Sequence, residues 1–443
     1  MNKELWLKAA KEAGIEDFEI YEQKSKTTSI RVYQENVDRY TISECNGIAV
    51  RGIYKGNMGI YFLEQDDDEL MNHALSQIKE NAEAITSEDI VDIYPGDDKY
   101  PVIEQRTCTL IDQKDEVKIE LLKEIESRLK KSDKRIDQVM SVSYGEVSGQ
   151  TAIDNTKGIH LQDEQHVAFI SAGVMAKDQE DTKVAYDWKY IYDLADIDVE
   201  KFTQNLSKKV LDKLHAESVE SGTYPVLIDR EAMADILEAF CGMFDGENAH
   251  KGISLLHDRL GENIFSEDIT IVDDPFMKDG YNCHSFDDEG VACQKTTLVD
   301  NGVLKSYLHN LKSARLMDCK TTGNGFKGGY STNVGIAPTN LYIQNGNHSV
   351  EEMIASMDKG IIITEVTGLH AGLRPLTGDF SLQSEGWYVE NGKKVRPVNL
   401  ITIAGNFMKA MNEISMVGND GKLNADAIGS PSILFSALAV SGN

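Results

Sequence analysis

An α+β fold in two domains follows from three features of this 443-residue chain. The first half alternates polar and apolar residues in long runs broken by short turns, with amphipathic helical stretches around them. The second half is dominated by short strand-like runs and glycine turns, with few helices. Helices and strands segregate more than they alternate, which favours α+β over a doubly wound parallel sheet. The segment SVESGT at 218–223 has linker character. The domains are therefore placed at 1–219, an antiparallel sheet with long helices, and at 220–443, a strand-rich domain.

The opening MNKELWLKAAKEAG reads as an amphipathic helix, because charges interrupt it throughout and exclude a signal peptide. Residues 18–63 read as an antiparallel meander with turns at Asn36, Asn46-Gly47 and Lys55-Gly56-Asn57. A helix is expected over 68–84, then an irregular crossover through Tyr94-Pro95-Gly96-Asp97-Asp98. In a charged helix over 112–131, Val117, Leu121, Ile125 and Leu129 recur at every fourth position and form a narrow apolar seam. Strands are expected over 138–148, 151–154, 165–176 and 182–191, and a helix over 198–216 closes the half.

Beyond the linker, a strand at 224–228 leads into a helix over 230–244, where Met233, Ile236, Leu237, Phe240 and Phe244 fall on one face. Shorter helices are expected over 308–317, 350–357 and 407–414. The stretch 377–406 reads as a β-hairpin: Trp387 and Val389 precede Asn391-Gly392, and Val398, Leu400, Ile401 and Ile403 follow. An Asn-Gly pair supplies the positive φ angles of a tight turn.

Composition removes several classes of function. With 73 acidic against 45 basic residues the formal charge is -28, the wrong sign for direct contact with nucleic acid. No apolar run approaches the ~20 residues needed to span a bilayer. The six cysteines lack the density of a disulfide framework and read as reduced, in a cytoplasmic protein.

Several groups could carry chemistry. Cys283, His284 and Cys293 are soft ligands that zinc accepts, although their spacing matches no common ribbon or finger. His250 and His257, seven apart, would share a helical face but lack a glutamate base and a third ligand. Asp287, Asp288 and Glu289 gather negative charge before Gly290, suited to a cation, to a peptide amino terminus or to a solvated turn. The run Gly323-Asn324-Gly325-Phe326-Lys327-Gly328-Gly329-Tyr330 lacks the Gly-Lys-Ser/Thr ending of a phosphate loop and reads as a rim loop. His370 sits in a glycine-flanked turn, as a cleft residue or a structural one.

The order of three blocks closely resembles the TldD/PmbA family. One is the hairpin ending in Glu390-Asn391-Gly392-Lys393, followed by Ile403-Ala404-Gly405-Asn406 and Gly418-Asn419-Asp420. The second runs from Asp287-Asp288-Glu289-Gly290 through Asp300-Asn301-Gly302 to Thr322-Gly323-Asn324-Gly325. The third is the Asn155-Thr156-Lys157-Gly158 turn. The resemblance implies one of two kinds of subunit. The catalytic, TldD-like kind carries a helical His-Glu-x-x-x-His motif and a C-terminal cysteine that together hold zinc; the PmbA- or TldE-like kind lacks that set and pairs with the first.

None of the ten histidines here is followed by glutamate, and the last cysteine is Cys319. The resemblance therefore implies a PmbA-like subunit without a cofactor of its own, with zinc in a TldD-like partner and an unfolded peptide as substrate. Exposed strand edges would accept that peptide through its main chain. The rim loop would border the peptide cleft, with Asp287, Asp288, Asn324, Phe326, Tyr330 and His370 as substrate-binding candidates. The family's description as modulators of DNA gyrase fits an indirect, proteolytic route better than DNA contact. Two alternatives stay open: a self-sufficient peptidase using Cys241, Cys283, His284 or Cys293, and a homodimeric scaffold with no proteolytic role.

Overall fold

The computed structural model describes residues 1–86, 91–104 and 106–442. The chain divides into two compact units, and each contains a sheet-based core. The first unit holds residues Met1–Val210 together with Ser285–Ala292 and Gly325–Gly335. The second holds Leu211–His284, Cys293–Asn324 and Ile336–Asn443.

The first unit is built on six strands. In chain order the elements are α1 (Lys3–Glu12), β1 (Phe18–Tyr33), β2 (Asn36–Tyr54), β3 (Asn57–Leu63), α2 (Met71–Ala84), α3 (Asp115–Ser132), β4 (Ile136–Asn155), β5 (His160–Asp178), β6 (Asp181–Ile191) and α4 (Val199–Leu211). The strand order is β3-β2-β1-β4-β5-β6, antiparallel throughout.

Side chains alternate across this sheet, so the even-numbered residues of β1 and β2 share one face. There Ile20, Ile48 and Val50 bury against Trp6 of α1 and Ala74 and Ile78 of α2. On the same face α3 covers a different stretch of β4, through the Lys118 to Glu146 ion pair at 2.7 Å.

Three local readings change in this unit. Asn46-Gly47 is not a turn: β2 runs through it, with Asn46 opposite Lys24 and Gly47 opposite Gln23. The β1–β2 reversal lies at Gln34 and Glu35, next to the turn expected at Asn36; both are at positive φ, and their amides donate at 2.7 Å to the two carboxylate oxygens of Glu126. In α3 the buried stripe is Lys118, Leu122, Ile125 and Leu129, with Val117 exposed and Leu121 half-buried. A mixed three- and four-residue step follows the 3.6-residue turn, whereas a constant step of four drifts around the helix. The two strands expected over 138–154 are one, β4.

The second unit opens with β7 (Gly222–Ile228) and α5 (Arg230–Phe240). In its larger sheet Lys359–Thr367 pairs in parallel with β7, and Ile433–Ser441, Lys393–Asn406 and Asp379–Glu390 follow antiparallel. Because Lys359–Thr367 also pairs with Asp379–Glu390, five strands close on themselves. A second sheet of six short strands includes Ile271–Asp273, Thr296–Asp300 and Leu341–Ile343. The hairpin turns at Asn391 and Gly392, with φ of 51° and 71°.

Met233, Ile236, Leu237 and Phe240 of α5 are buried in one core with Val226, Ile361 and Ile403, as the apolar face requires. Asp229 caps the start of α5 by accepting from the amides of Glu231 and Ala232. The helix stops at Phe240, and a tighter 3₁₀ turn continues to Phe244. The helices expected over 308–317 and 407–414 are shorter, Leu311–Leu316 and Phe407–Ala410; Asn310 and Asn406 cap their N-termini and set where each begins. No helix joins His250 to His257: a short helix ends at His250, and Gly252 follows at φ 70°.

Candidate functional site

Four of the six predicted substrate contacts lie in the first unit. They sit with the odd-numbered face of β1 and β2, where Glu19 lies opposite Arg51, Tyr21 opposite Ala49 and Gln23 opposite Gly47. Asp287 is fully buried. Its Oδ1 accepts from the amides of Glu289 at 2.9 Å and Val291 at 3.0 Å, and its Oδ2 from Gly325 at 2.8 Å. Burial, and then the neighbouring Glu289 carboxylate, hold its carboxyl well above the usual range despite these three donors. Asp287 thus organises the turn that ends at Gly290 and ties it to residue 325.

Asp288 is half-buried and faces a mixed set of groups. It accepts from the Tyr21 hydroxyl at 2.9 Å and from the Lys327 amide at 2.7 Å, and burial raises its carboxyl. The Lys327 ammonium lies 3.6 Å from the centroid of the Tyr21 ring. Burial pulls that amine down to about 8, and the nearby Arg51 guanidinium adds to the fall. Arg51 itself donates to Glu19 Oε1 at 2.7 Å, while the buried Glu19 Oε2 has no hydrogen-bond partner.

Sequence reasoning missed Tyr21, Arg51, Glu19 and Lys327. The available signal was Glu19 inside an otherwise apolar FEIY run, which marks a strand covered on both faces.

Tyr330 lies against the backbone of Gly47, where a Cβ would come within 2.0 Å of its Cδ1, and its ring meets Phe62 edge-on at 6.2 Å. Phe326 is half-buried in the short strand Gly325–Lys327.

Asn324 and His370 belong to the second unit. Asn324 is buried and donates to Asp273 Oδ2 at 2.8 Å and to the Ala337 carbonyl at 3.0 Å. Asp273, also accepting from the amide and hydroxyl of Thr339, is pushed up to about 6 by burial. His370 is exposed on a single helical turn that begins after Gly368 at φ 80°.

On α5 the Glu238 carboxylate accepts from Asn424 Nδ2 at 2.7 Å, and Asp235 accepts from the same amide at 3.3 Å. Burial raises Glu238 and pushes the Cys241 thiol up to about 11. In the 283–293 segment the soft ligands face separate partners. Cys283 Sγ donates to the Met277 carbonyl, Cys293 Sγ to the Gly323 carbonyl, and His284 Nε2 lies 2.8 Å from Asn282 Oδ1.

Profiles of one family match in sequence: PmbA/TldA metallopeptidase domain 1 over residues 18–85, its central domain over 108–214 and its C-terminal domain over 221–442. The chain belongs to the PmbA/TldD metallopeptidase family.

The metalloprotease TldD homolog of Buchnera aphidicola (subsp. Acyrthosiphon pisum) is 31% identical over 261 residues, covering 56% of this chain and 54% of that relative. A Thermotoga maritima crystal structure, described as a candidate modulator of a DNA gyrase, superposes with a TM-score of 0.91 at 29% identity, covering 99% of both chains. TldE from Thermococcus kodakarensis also gives 0.91, at 22% identity over 99% of this chain and 100% of that one, and shows the shared fold.

The residues present do not fit the zinc that a metallopeptidase implies. On α5 and the 3₁₀ turn after it, the donors are Asp235 and Glu238, already bonded to Asn424, Glu231, which pairs with Lys422, and the Cys241 thiol, which burial keeps protonated. Zinc favours thiolate and imidazole in a set of about three protein ligands, and α5 contains no histidine. Among the described residues, no three His, Cys, Asp or Glu side chains converge as a metal site.

Proposed function

We propose that this chain is the PmbA/TldE-like, non-catalytic subunit of a TldD/TldE-type zinc metalloprotease that cleaves unfolded or modified peptides. A TldD-like partner brings the metal, the activated water and the glutamate base. This subunit contributes binding and placement of the peptide, in the cytoplasm. The observation that carries the reading is α5, the helix where the family resemblance would place the His-Glu-x-x-x-His motif: it contains no histidine, spends Leu237 and Phe240 on the core and bonds its carboxylates Asp235 and Glu238 to the Asn424 amide.

Metal analysis of the purified chain tests it, with peptidase assays before and after adding a TldD-like protein. The expected result is less than about one-tenth of a zinc per chain and activity only in the mixture, because a true site retains its metal through purification. Near-stoichiometric zinc with activity in isolation would overturn the reading.

A further inference from the structure

The odd-numbered face of the first unit's sheet sets an amine beside a guanidinium. Tyr21 on β1 lies opposite Ala49 on β2, and Arg51, two residues along β2, shares their face, so it is the diagonal neighbour of the tyrosine. Diagonal neighbours stand about 7–8 Å apart at the backbone, within reach of long side chains. Lys327 lies across the Tyr21 ring, its ammonium 3.6 Å from the centroid.

Neither head group has its donors filled. Among the described residues, the Arg51 guanidinium makes one hydrogen bond, from Nε to Glu19 Oε1, and both terminal NH2 groups are left without a partner. Among the same residues the Lys327 amine makes no hydrogen bond or ion pair; only its backbone amide is bonded, to Asp288. None of these nitrogens is sealed from solvent, so a small ligand can reach them. The neighbouring acids are committed: Asp288 holds the Tyr21 hydroxyl and the Lys327 amide on its two oxygens, and Asp287 accepts from three backbone amides. The charges of Glu19 and Glu289 nearby favour a ligand with no more than one carboxylate.

Burial and an adjacent cation are the two conditions that turn a lysine into a nucleophile, since both favour the free amine. With the amine held at about 8 against an ordinary 10.5, its neutral form at about pH 7 is about 300 times more populated than that of an ordinary lysine. We propose that Lys327 captures a small 2-oxo acid as a Schiff base, with the acid's carboxylate held by the two NH2 groups of Arg51. The amine nitrogen bonds to the carbonyl carbon, and the carbonyl oxygen leaves as water with both amine hydrogens, giving an imine. A planar guanidinium matches a carboxylate, whereas a neutral aldehyde would leave it unused. The proposal stands apart from the accessory-subunit reading, which metal content and partner-dependent activity test.

Glyoxylate or acetaldehyde, each with sodium cyanoborohydride at about pH 7, fixes an imine as a stable secondary amine, and peptide mapping by mass spectrometry reads each lysine of the full chain. Lys8 and Lys409, 75% and 73% exposed, set the background. A less basic amine is also a weaker nucleophile, which offsets part of the population advantage, so Lys327 should react about tenfold faster than these two with glyoxylate. With acetaldehyde the advantage should be smaller by about threefold or more. In the urea-unfolded chain the preference should vanish. Equal glyoxylate rates at the three lysines would overturn the site, and so would a preference that survives unfolding. An advantage of the same size with both aldehydes would overturn the oxo-acid assignment, because Arg51 would then play no part.

Discussion

The Lys327 ammonium rests 3.6 Å from the centre of the Tyr21 ring, and the Tyr21 hydroxyl donates to Asp288, whose other oxygen holds the Lys327 amide. Residues 21, 288 and 327 thus form one closed set of contacts from three distant parts of the chain. Among the described residues Lys327 makes no ion pair within 4 Å; the Tyr21 ring face and the charges of Glu19, Asp288 and Glu289 offset part of the cost of its burial.

This placement gives stability a particular dependence on pH. The folded chain holds the Lys327 amine at about 8, against an ordinary 10.5. Between those values the unfolded chain carries a proton that the folded chain has released, so this group's contribution to stability rises with pH through the window and is lost as pH falls through about 8. Lys327→Met removes the titration. Its urea midpoint should therefore compare most favourably with wild type near about pH 7, with the advantage shrinking by about pH 10. Parallel curves for the two proteins would show that the amine is not depressed.

Asp273 predicts the opposite slope in the acid range. Burial raises its carboxyl to about 6 from 3.8, so the folded state keeps a proton that the unfolded state loses. Its stabilising contribution is complete below the unfolded value and disappears as pH rises through about 6. Asp273→Asn should abolish that slope. It should also cost about 1–3 kcal/mol, since an amide NH2 set against the donors of Asn324 and Thr339 cannot satisfy all of them. Denaturant titrations at several pH values between about 4 and about 7 measure both effects, and an unchanged slope in the variant would assign the titration elsewhere.

How much of this was legible in the sequence depended on how local the cause was. The Asn391-Gly392 hairpin and the apolar face of α5 are set by neighbours a few residues away, and both formed as read. Asn46-Gly47 carries the same local turn signal and was overridden, because β1 pairs across it and the Tyr330 ring lies on the glycine. The acidic run at 287–289 was visible, but its partners were not: Tyr21 lies 267 residues from Asp288. No periodicity reports such a separation. The α3 seam held in its second half, where Ile125 and Leu129 are buried as read, and drifted in its first, where the buried positions are Leu122 and Lys118, a lysine paired with Glu146 that hydrophobicity alone would not place there.

Gly47 and Tyr330 allow a sharper test of what holds the rim segment in place. A Cβ at position 47 would come within 2.0 Å of the Tyr330 ring, far inside van der Waals contact, so Gly47→Ala must displace the ring or the strand. Overpacking of this kind costs about 1–3 kcal/mol. Tyr330→Ala removes the same clash at its source. In the double variant the two losses should fall short of their sum, with a coupling of about 1 kcal/mol or more from urea unfolding. Additivity within about 0.5 kcal/mol would mean that the ring is not seated on the glycine. Peptide affinity measured on the same variants separates packing from recognition. If Tyr330 contacts substrate, Tyr330→Ala weakens peptide binding in either background, whereas a purely structural ring loses affinity only to the extent that stability falls.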